Sequence, residues 1–177
     1  MSSLKKYTLA FALFITLALN GSLSLYLHPL YGFSSGANLL LPIGMMLVAL
    51  IDDTNQKELW LAFGTGIVSD VFFFGIIGIY TVSLPCVCWF LQKVARFLPE
   101  LFWARAVFTL IGTVFLNAYN WLFFNLTGIA KVSLGMLLKG LLPTFLWSAA
   151  FIILTYWIWN WLAIEFPFMV KQENYRS

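Results

Sequence analysis

The chain has 177 residues, of which 62% are hydrophobic and only 10% are charged. A soluble globular domain carries about a quarter charged residues, so this composition excludes an ordinary soluble fold. The formal net charge of +3 is too small to predict a nucleic-acid partner, and the basic residues lie between apolar segments rather than in one stripe. We therefore expect one membrane domain that covers residues 1–177 and lies in a lipid bilayer.

Apolar segments follow one another along the chain, separated by short polar stretches. About 18 or more apolar residues are enough to cross a hydrocarbon layer. The sequence predicts an all-α, polytopic bundle of six spans with a polar tail at 171–177; the spans are residues 7–27, 33–51, 59–74, 78–92, 106–124 and 140–163. The first span begins like a signal peptide, but its apolar run continues to Leu27, so we expect it to be retained.

Polar and helix-breaking residues set the predicted boundaries. His28–Ser35 is predicted to be a turn, and Pro42 is predicted to interrupt the second span. The polar run Asp52–Glu58 is predicted to be a short aqueous loop whose aspartates face the cytoplasm. The apolar stretch that follows is too long for one span and short for two, so we expect it to divide near Phe74–Gly78.

Basic residues predict the orientation of the spans. With the N-terminus inside, the cytoplasmic segments hold Lys5, Lys6, Lys57, Lys93, Arg96, Arg105, Lys171 and Arg176. The outer segments then hold only Lys131 and Lys139, in agreement with the positive-inside rule. We therefore expect six spans with both termini in the cytoplasm. A five-span arrangement stays open, because the tail contributes only two of these charges.

Asp70 is the one charged residue between Leu59 and Gln92. An aspartate at the centre of a membrane helix is unfavourable by roughly 2.5–3.5 kcal/mol, so its charge must be compensated. Gly66 lies four residues earlier and shares a helix face with Asp70. Small residues let helices approach closely, so we expect this face to pack against protein rather than lipid.

Two hypotheses explain Asp70. In the functional hypothesis it binds an ion, a proton or a substrate. In the structural hypothesis its carboxylate accepts hydrogen bonds from backbone N–H groups at the start of the next helix, and Gly75 and Gly78 supply the tight turn. We prefer the structural hypothesis, because no basic residue is predicted at membrane depth to pair with Asp70 and no second acid accompanies it.

A second group of polar residues comprises Asn117, Asn120 and Asn125, with Tyr119 and Thr127, and Asn117 and Asn120 lie three residues apart on one side of the fifth span. Such side chains can bond across to a neighbouring helix, at roughly 0.6–2 kcal/mol for each bond. A ligand pocket at this place is the alternative. Pro42, Pro85 and Pro143 fall inside or at the start of spans, where they are predicted to kink helices or free backbone carbonyls.

Enzymatic chemistry is not predicted. Nucleophilic catalysis needs a base near a serine or cysteine, and the one histidine, His28, lies in a predicted outer loop. Cys86 and Cys88 are too few for a metal site and are predicted to be buried thiols without a redox role. We expect no enzyme activity, no catalytic residues, no metal and no cofactor.

The segment Gly66–Tyr80 has a distinctive pattern, Gly-x-x-x-Asp-Val-Phe-Phe-x-Gly-x-x-Gly-Ile-Tyr. This pattern resembles the hallmark of the rod shape-determining protein MreD family, especially the forms from low-GC Gram-positive bacteria. The preceding polar loop Asp52–Glu58 and the segment Leu141–Trp147 are also similar to that family in layout. Elsewhere the resemblance is one of hydrophobic layout.

The resemblance implies a non-enzymatic subunit of the cell-elongation complex, in the cytoplasmic membrane of a bacterium. Members of that family act with the bitopic scaffold MreC, and through it with the cytoskeletal protein MreB and the peptidoglycan synthases. The residues that we expect to be structural or to bind a partner are Asp70, Gly66, Gly75, Gly78, Tyr80, Asn117, Asn120 and Pro143.

A substrate-binding membrane subunit of an energy-coupling-factor vitamin transporter is the alternative function. Those subunits are also small six-helix membrane proteins, and the MreD family resembles them in fold. Such a subunit needs a polar pocket that opens to the outside and is built from several helices. Here the predicted outer loops are short, and the polar candidates are mainly Asp70, Asn117 and Asn120.

Overall fold

A computed structural model describes residues 7–31 and 39–169 of the chain, and every regular element in that part is helical. Six α-helices follow one another: α1 (Thr8–Tyr31), α2 (Leu40–Ile51), α3 (Lys57–Ser69), α4 (Tyr80–Ala95), α5 (Phe102–Thr127) and α6 (Leu134–Glu165). A short π-helix, Asp70–Phe74, continues α3. The prediction of an all-α fold with six helical segments is confirmed for the described residues.

The central helix of the bundle is α2. Its residues Leu40–Leu50 are all buried, and it packs against α1, α4, α5 and α6. A helix that is apolar on every side has to be surrounded by other elements, which explains why this short segment takes the middle position. The leucine and methionine side chains of α2 therefore form the centre of the hydrophobic core.

The first two predicted segments differ from the helices in their boundaries. The turn predicted at His28–Ser35 is wrong at its start, because α1 continues to Tyr31, whereas residues 32–38 lie outside the described part. A proline removes only one backbone donor, so a helix can extend slightly beyond it. Pro42 does not interrupt α2 but lies in its first turn, where its missing N–H would have had no intrahelical partner.

The division of the third and fourth segments is confirmed. The π-helix ends at Phe74 and α4 begins at Tyr80, so the break falls near Phe74–Gly78 as predicted. The start of α3 at Lys57 is earlier than expected and takes the last residues of the predicted aqueous loop into the helix. The predicted tail at 171–177 lies outside the described residues.

Two helices are long and apolar enough to cross a membrane, judged by length and composition. They are α5 and α6, with 26 and 32 residues, and they contain the fifth and sixth predicted spans. Two further segments, Thr8–Ser22 of α1 and the 12-residue α2, are apolar but shorter. At about 1.5 Å per residue, α2 is only about 18 Å long.

Large apolar side chains cover much of the outside of the bundle. On α6 these include Leu154, Trp157, Trp161 and Ile164, which are more than half exposed. The interior, in contrast, holds polar side chains among its apolar ones, and Thr109, Thr113, Thr144 and Ser148 are buried there. Soluble monomers rarely expose contiguous apolar patches larger than a few hundred Å². The surface of this bundle is therefore matched to an apolar environment.

Candidate functional site

Asp70 lies where the chain leaves α3 and turns back toward α4. Its carbonyl oxygen accepts a hydrogen bond of 2.8 Å from the Gly75 N–H, which closes the π-helical turn. Gly75 then adopts a left-handed conformation with φ of 67°, and Gly78 has φ of 129°. Glycine reaches both conformations without steric cost, so these two residues allow the sharp reversal between the helices.

The Asp70 carboxylate is fully buried and accepts four hydrogen bonds. Oδ1 accepts from the Tyr80 backbone N–H at 2.7 Å. Oδ2 accepts from the backbone N–H groups of Gly78 and Thr81, at 2.9 and 3.0 Å, and from the Thr81 hydroxyl at 2.7 Å. The hydrogen bonds that the structural hypothesis predicts for this carboxylate are therefore confirmed.

These bonds compensate the burial of the acid. The first N–H groups of a helix have no intrahelical acceptor, and Tyr80 and Thr81 are the first residues of α4. The positive end of the helix dipole also favours a negative group there, by about 0.3–1 kcal/mol at exposed sites and up to about 2 kcal/mol when partly buried. Asp70 thus caps a different helix from the one that carries it, and fastens α3 to α4.

Gly66 lies where the backbones of α3 and α4 come closest. A Cβ atom added at Gly66 would lie 2.5 Å from the Tyr80 carbonyl oxygen and 2.8 Å from the Thr81 Cα atom. These neighbours are backbone atoms, which cannot move aside as a flexible side chain can. Gly66 and Ser69 are both buried, so the prediction that this small, polar face packs against protein is confirmed.

Aromatic and polar groups of α5 cover the turn between α3 and α4. The Tyr119 hydroxyl donates to the Gly78 carbonyl oxygen at 3.2 Å. Tyr80 is buried, and its ring centroid lies 5.7 Å from that of Phe74, which in turn contacts Phe124. The turn is therefore held from both sides, by the Asp70 carboxylate within and by α5 outside.

The two predicted asparagines have different surroundings. Asn120 lies near the Tyr80 side chain of α4, but its buried Oδ1 accepts no hydrogen bond within the described part of the chain. Asn117 donates to the Thr113 carbonyl oxygen of its own helix at 2.8 Å. Pro143 lies in α6, which packs mainly against α2 and α5 and continues through the proline, so it stands apart from Asp70.

Asn125, the third asparagine of the predicted polar group, bonds to its own helix and to the loop after it. Its amide donates to the carbonyl oxygens of Trp121 and Val132, and its Oδ1 accepts from the Val132 N–H at 3.2 Å. The Trp121 indole N–H also donates to the Val132 carbonyl oxygen. A side chain that can both donate and accept thereby fixes the loop between α5 and α6. Its place at the end of an apolar helix, just before Gly128, was the available signal.

Acidic residues at the opposite end of α3 are buried, which corrects the predicted aqueous loop. Asp52, at the end of α2, is 7% exposed and Glu58, in the first turn of α3, is fully buried. Gln92 on α4 donates to the carbonyl oxygens of Asp52 and Asn55, at 3.4 and 3.3 Å. The loop is short and contacts Gln92 of α4 and the chain after α6, so several of its polar groups face protein instead of water. Gln92 within the apolar α4 was the sequence signal for this contact.

The segment that follows α6 joins the same region. The Asn55 amide donates to the Phe168 carbonyl oxygen at 2.9 Å, and Lys57 donates to the Met169 carbonyl oxygen at 3.0 Å. We call this region the polar junction and define it by residues 52–58, Gln92 and 166–169. It connects α2, α3, α4 and the chain after α6.

An apolar groove lies between α4 and α5, with a volume of about 680 Å³. Its lining includes Pro85, Trp89, Phe90, Ile111 and Phe115. Cys86 also lines it and is exposed, so the prediction that both thiols are buried is right for Cys88 and wrong for Cys86. The groove offers almost no polar group to a ligand.

Comparison with protein-family models, with curated proteins and with solved structures finds no match for this chain. The resemblance of Gly66–Tyr80 to the MreD family therefore stays a prediction. The geometry supports one conclusion about that segment by itself. It is a compact helix–turn–helix unit, and its buried acid accepts hydrogen bonds from backbone N–H groups at the start of the next helix and in the turn before it.

Replacing Asp70 with Asn should destabilise the fold. An amide offers one carbonyl oxygen and turns an NH₂ group toward the remaining backbone donors, which leaves buried donors unsatisfied at about 1–3 kcal/mol each. We expect the free energy of unfolding to fall by about 2–4 kcal/mol. Reversible unfolding of the full chain in mixed micelles measures this change. The control is Asp53→Asn at the exposed ion pair with Arg96, for which we expect less than about 1 kcal/mol.

Replacing Gly66 with Ala should destabilise the contact between α3 and α4 by about 3 kcal/mol, because its Cβ meets backbone atoms. Gly64, on the same helix, has nothing within 4 Å of an added Cβ. Gly64→Ala should therefore leave stability unchanged or raise it by up to about 1 kcal/mol. Equal effects of the two substitutions on the unfolding midpoint would contradict the close approach at Gly66.

Proposed function

We propose that this chain is a non-enzymatic, multi-pass subunit of the cell-elongation complex in the bacterial cytoplasmic membrane, of the MreD type. In this role it scaffolds lateral peptidoglycan synthesis through an MreC-like bitopic partner, and through it contacts the cell-wall synthases and an MreB-like cytoskeleton. The observation that carries the proposal is the set of four hydrogen bonds that the Asp70 carboxylate accepts from Gly78, Tyr80 and Thr81. The distinctive motif thus acts as an internal fastening of a folded subunit.

The surface of the bundle supports immersion in a bilayer. Exposed apolar side chains occur on every long helix, among them Phe11 and Phe14 on α1, Phe90 on α4, Phe115 on α5 and Leu154 on α6. In water such a surface would drive aggregation, whereas hydrocarbon solvates it at no cost. Three buried hydroxyl groups, those of Ser83, Thr109 and Thr113, donate to carbonyl oxygens of residues three or four positions earlier in the chain. Satisfied polar groups of this kind are compatible with a membrane interior.

The ends of the helices support the proposed orientation. Lys93 lies in the last turn of α4 and Arg96 follows directly after it. The aromatic residues Phe97, in the turn, and Trp103, at the start of α5, are exposed. Basic and aromatic side chains together favour the cytoplasmic headgroup level. The opposite turn, between α5 and α6, has Lys131 as its one basic residue. In the proposed orientation, the polar junction lies on the cytoplasmic side.

Two observations favour a scaffold over a vitamin-binding transporter subunit. The acid of the motif has no oxygen left for a polar ligand, because each oxygen already accepts at least one hydrogen bond and Oδ2 accepts three. The groove between α4 and α5 is apolar and suits lipid or another membrane helix better than a polar vitamin. Partner contacts would then use helix faces, the short outer loops or the basic segment Lys93–Arg105.

The topology can be tested with single-site labelling in intact cells. A cysteine introduced between α5 and α6, at Ile129, should react with a membrane-impermeant thiol reagent, whereas one introduced between α4 and α5, at Phe97, should react only after the membrane is opened. Both positions are exposed. The background carries Cys86→Ser and Cys88→Ser. Labelling of both positions, or of neither, in intact cells would rule out this topology.

The functional proposal can be tested by copurification. The full chain, tagged at its C-terminus and solubilised from native membranes, should recover a bitopic coiled-coil protein together with cell-wall synthases. Asp70→Asn should reduce both the amount of folded chain and partner recovery, and Asp53→Asn should reduce neither. Recovery of an ATPase-bearing transporter module with a bound vitamin would replace the scaffold by the alternative function.

A further inference from the structure

The apolar groove between α4 and α5 opens toward the surroundings of the bundle. Four of the side chains that line it are about half exposed, namely Trp89, Phe90, Ile111 and Phe115. Its volume of about 680 Å³ lies in the range of about 300–1,000 Å³ that is typical of ligand sites. An empty groove forfeits dispersion contacts along its whole lining, so in a membrane it is filled either by lipid hydrocarbon or by protein.

The length of the groove favours a lipid chain over a membrane-spanning helix. Its lining runs from Pro85 to Leu91 on α4 and from Phe108 to Phe115 on α5. Each of these stretches rises by only about 10 Å, at about 1.5 Å per residue. The hydrocarbon layer is about 30 Å thick, so the groove extends over less than one leaflet. A helix that crosses both leaflets has no matching groove along the rest of its length, whereas an acyl chain belongs to one leaflet.

A cation lies beside the groove at the end of α4. Lys93 is exposed, one helical turn after Trp89, and its Nζ lies 5.9 Å from the centroid of the Trp89 ring. An ammonium group at this distance is attracted to the face of the ring, which keeps it next to the groove. Arg96 lies three residues later and forms an ion pair of 3.8 Å with Asp53. Lys93 therefore supplies positive charge at the groove.

An apolar groove with a cation at one end is complementary to an anionic phospholipid. We propose that the groove binds one such lipid, with an acyl chain between α4 and α5 and the phosphate group at Lys93. The acyl chain then runs from Lys93 toward Pro85 and the middle of the bilayer. In the proposed orientation this end of α4 is cytoplasmic, and anionic lipids give the cytoplasmic leaflet its negative surface potential. The site rests on the membrane placement in the proposed function and goes beyond its protein partners.

The headgroup decides which lipid the groove prefers. Lipid tails are as apolar as the side chains that line the groove, so the acyl chain by itself distinguishes little between one phospholipid and another. The charge of the headgroup does distinguish them. One basic residue near a membrane surface favours an anionic lipid by roughly fivefold over a zwitterionic lipid with the same acyl chains.

Native mass spectrometry of the full chain in mild micelles tests the proposal. The delipidated chain is incubated with phosphatidylglycerol or with phosphatidylcholine of the same acyl chains, and the bound lipid is counted. The wild-type chain should bind one phosphatidylglycerol roughly fivefold more tightly than one phosphatidylcholine. Lys93→Gln should abolish this preference. Lys131→Gln removes the same charge from the exposed loop between α5 and α6 and should keep the preference.

A second pair of variants tests the groove itself. Cys86 lines the groove and is exposed, so Cys86→Trp should fill the groove without disturbing the core. This variant should lose the bound lipid, whatever its headgroup. Leu154→Trp places the same ring on the exposed surface of α6, outside the groove, and should bind lipid like the wild type. Thermal unfolding of both variants checks that they are folded.

The Cys86 thiol reports occupancy of the groove in the unmodified chain. It should react several-fold more slowly with a maleimide after addition of phosphatidylglycerol than after addition of phosphatidylcholine, whereas Cys88 is fully buried and should not react under either condition. Equal binding of the two lipids by the wild type, or an undiminished preference in Lys93→Gln, would overturn the proposal. So would a Cys86 thiol that is protected in native membranes but reactive in the purified chain with phosphatidylglycerol, since that result assigns the groove to a polypeptide.

The lipid measurements and the copurification fail independently. Lipid binding in micelles uses neither the orientation of the chain nor a protein partner. A chain that prefers phosphatidylglycerol but recovers no bitopic partner would therefore overturn the proposed function alone. A chain that recovers the partner but binds both lipids equally would overturn the lipid site alone.

Discussion

The contact between the Asp70 carboxylate and the start of α4 is the interaction on which the rest of this bundle depends. One side chain accepts hydrogen bonds from three backbone N–H groups and one hydroxyl, so these buried donors are satisfied within the protein. The bonds require α3 and α4 to touch backbone to backbone, and Gly66 permits that approach. Gly75 and Gly78 permit the reversal between the helices. The acid, the close contact and the turn therefore form one cooperative unit, since the loss of any one misplaces the others.

The same bundle contains two fully buried acids with opposite surroundings. Asp70 faces the donors at the N-terminus of a helix, and its oxygens accept hydrogen bonds from them. Glu58 faces another acid and no donor, an arrangement that disfavours its charge. Side-chain type alone does not separate these cases, because both are carboxylates close to the ends of α3. Their neighbours decide that one of them is held by hydrogen bonds from the next helix, whereas the oxygens of the other accept none among the described residues.

The positions of these two acids also organise the bundle along its length. Asp70 holds the end of α3 that lies near Tyr119 of α5. Glu58 lies at the other end of α3, in the region that also contains the chain after α6. Between them, the apolar side chains of α2 form the centre of the core, and their packing does not by itself fix the orientation of the neighbouring helices. Hydrophobic burial is not directional, so the polar contacts at the two ends specify how the helices are placed.

Composition and hydrophobic patterning were sufficient to predict an all-α chain with six helical segments and a break near Phe74–Gly78, because long apolar runs and glycine clusters are local signals. The hydrogen bonds of Asp70 were also predictable, since a lone acid beside two glycines has few ways to be satisfied. The burial of Glu58 and Asp52, the hydrogen bonds of Asn125 to the loop after its helix and the exposure of Cys86 were decided only by tertiary structure. Each depends on which atoms the folded chain brings opposite the residue, and a polar residue in an apolar helix signals a contact without identifying the partner.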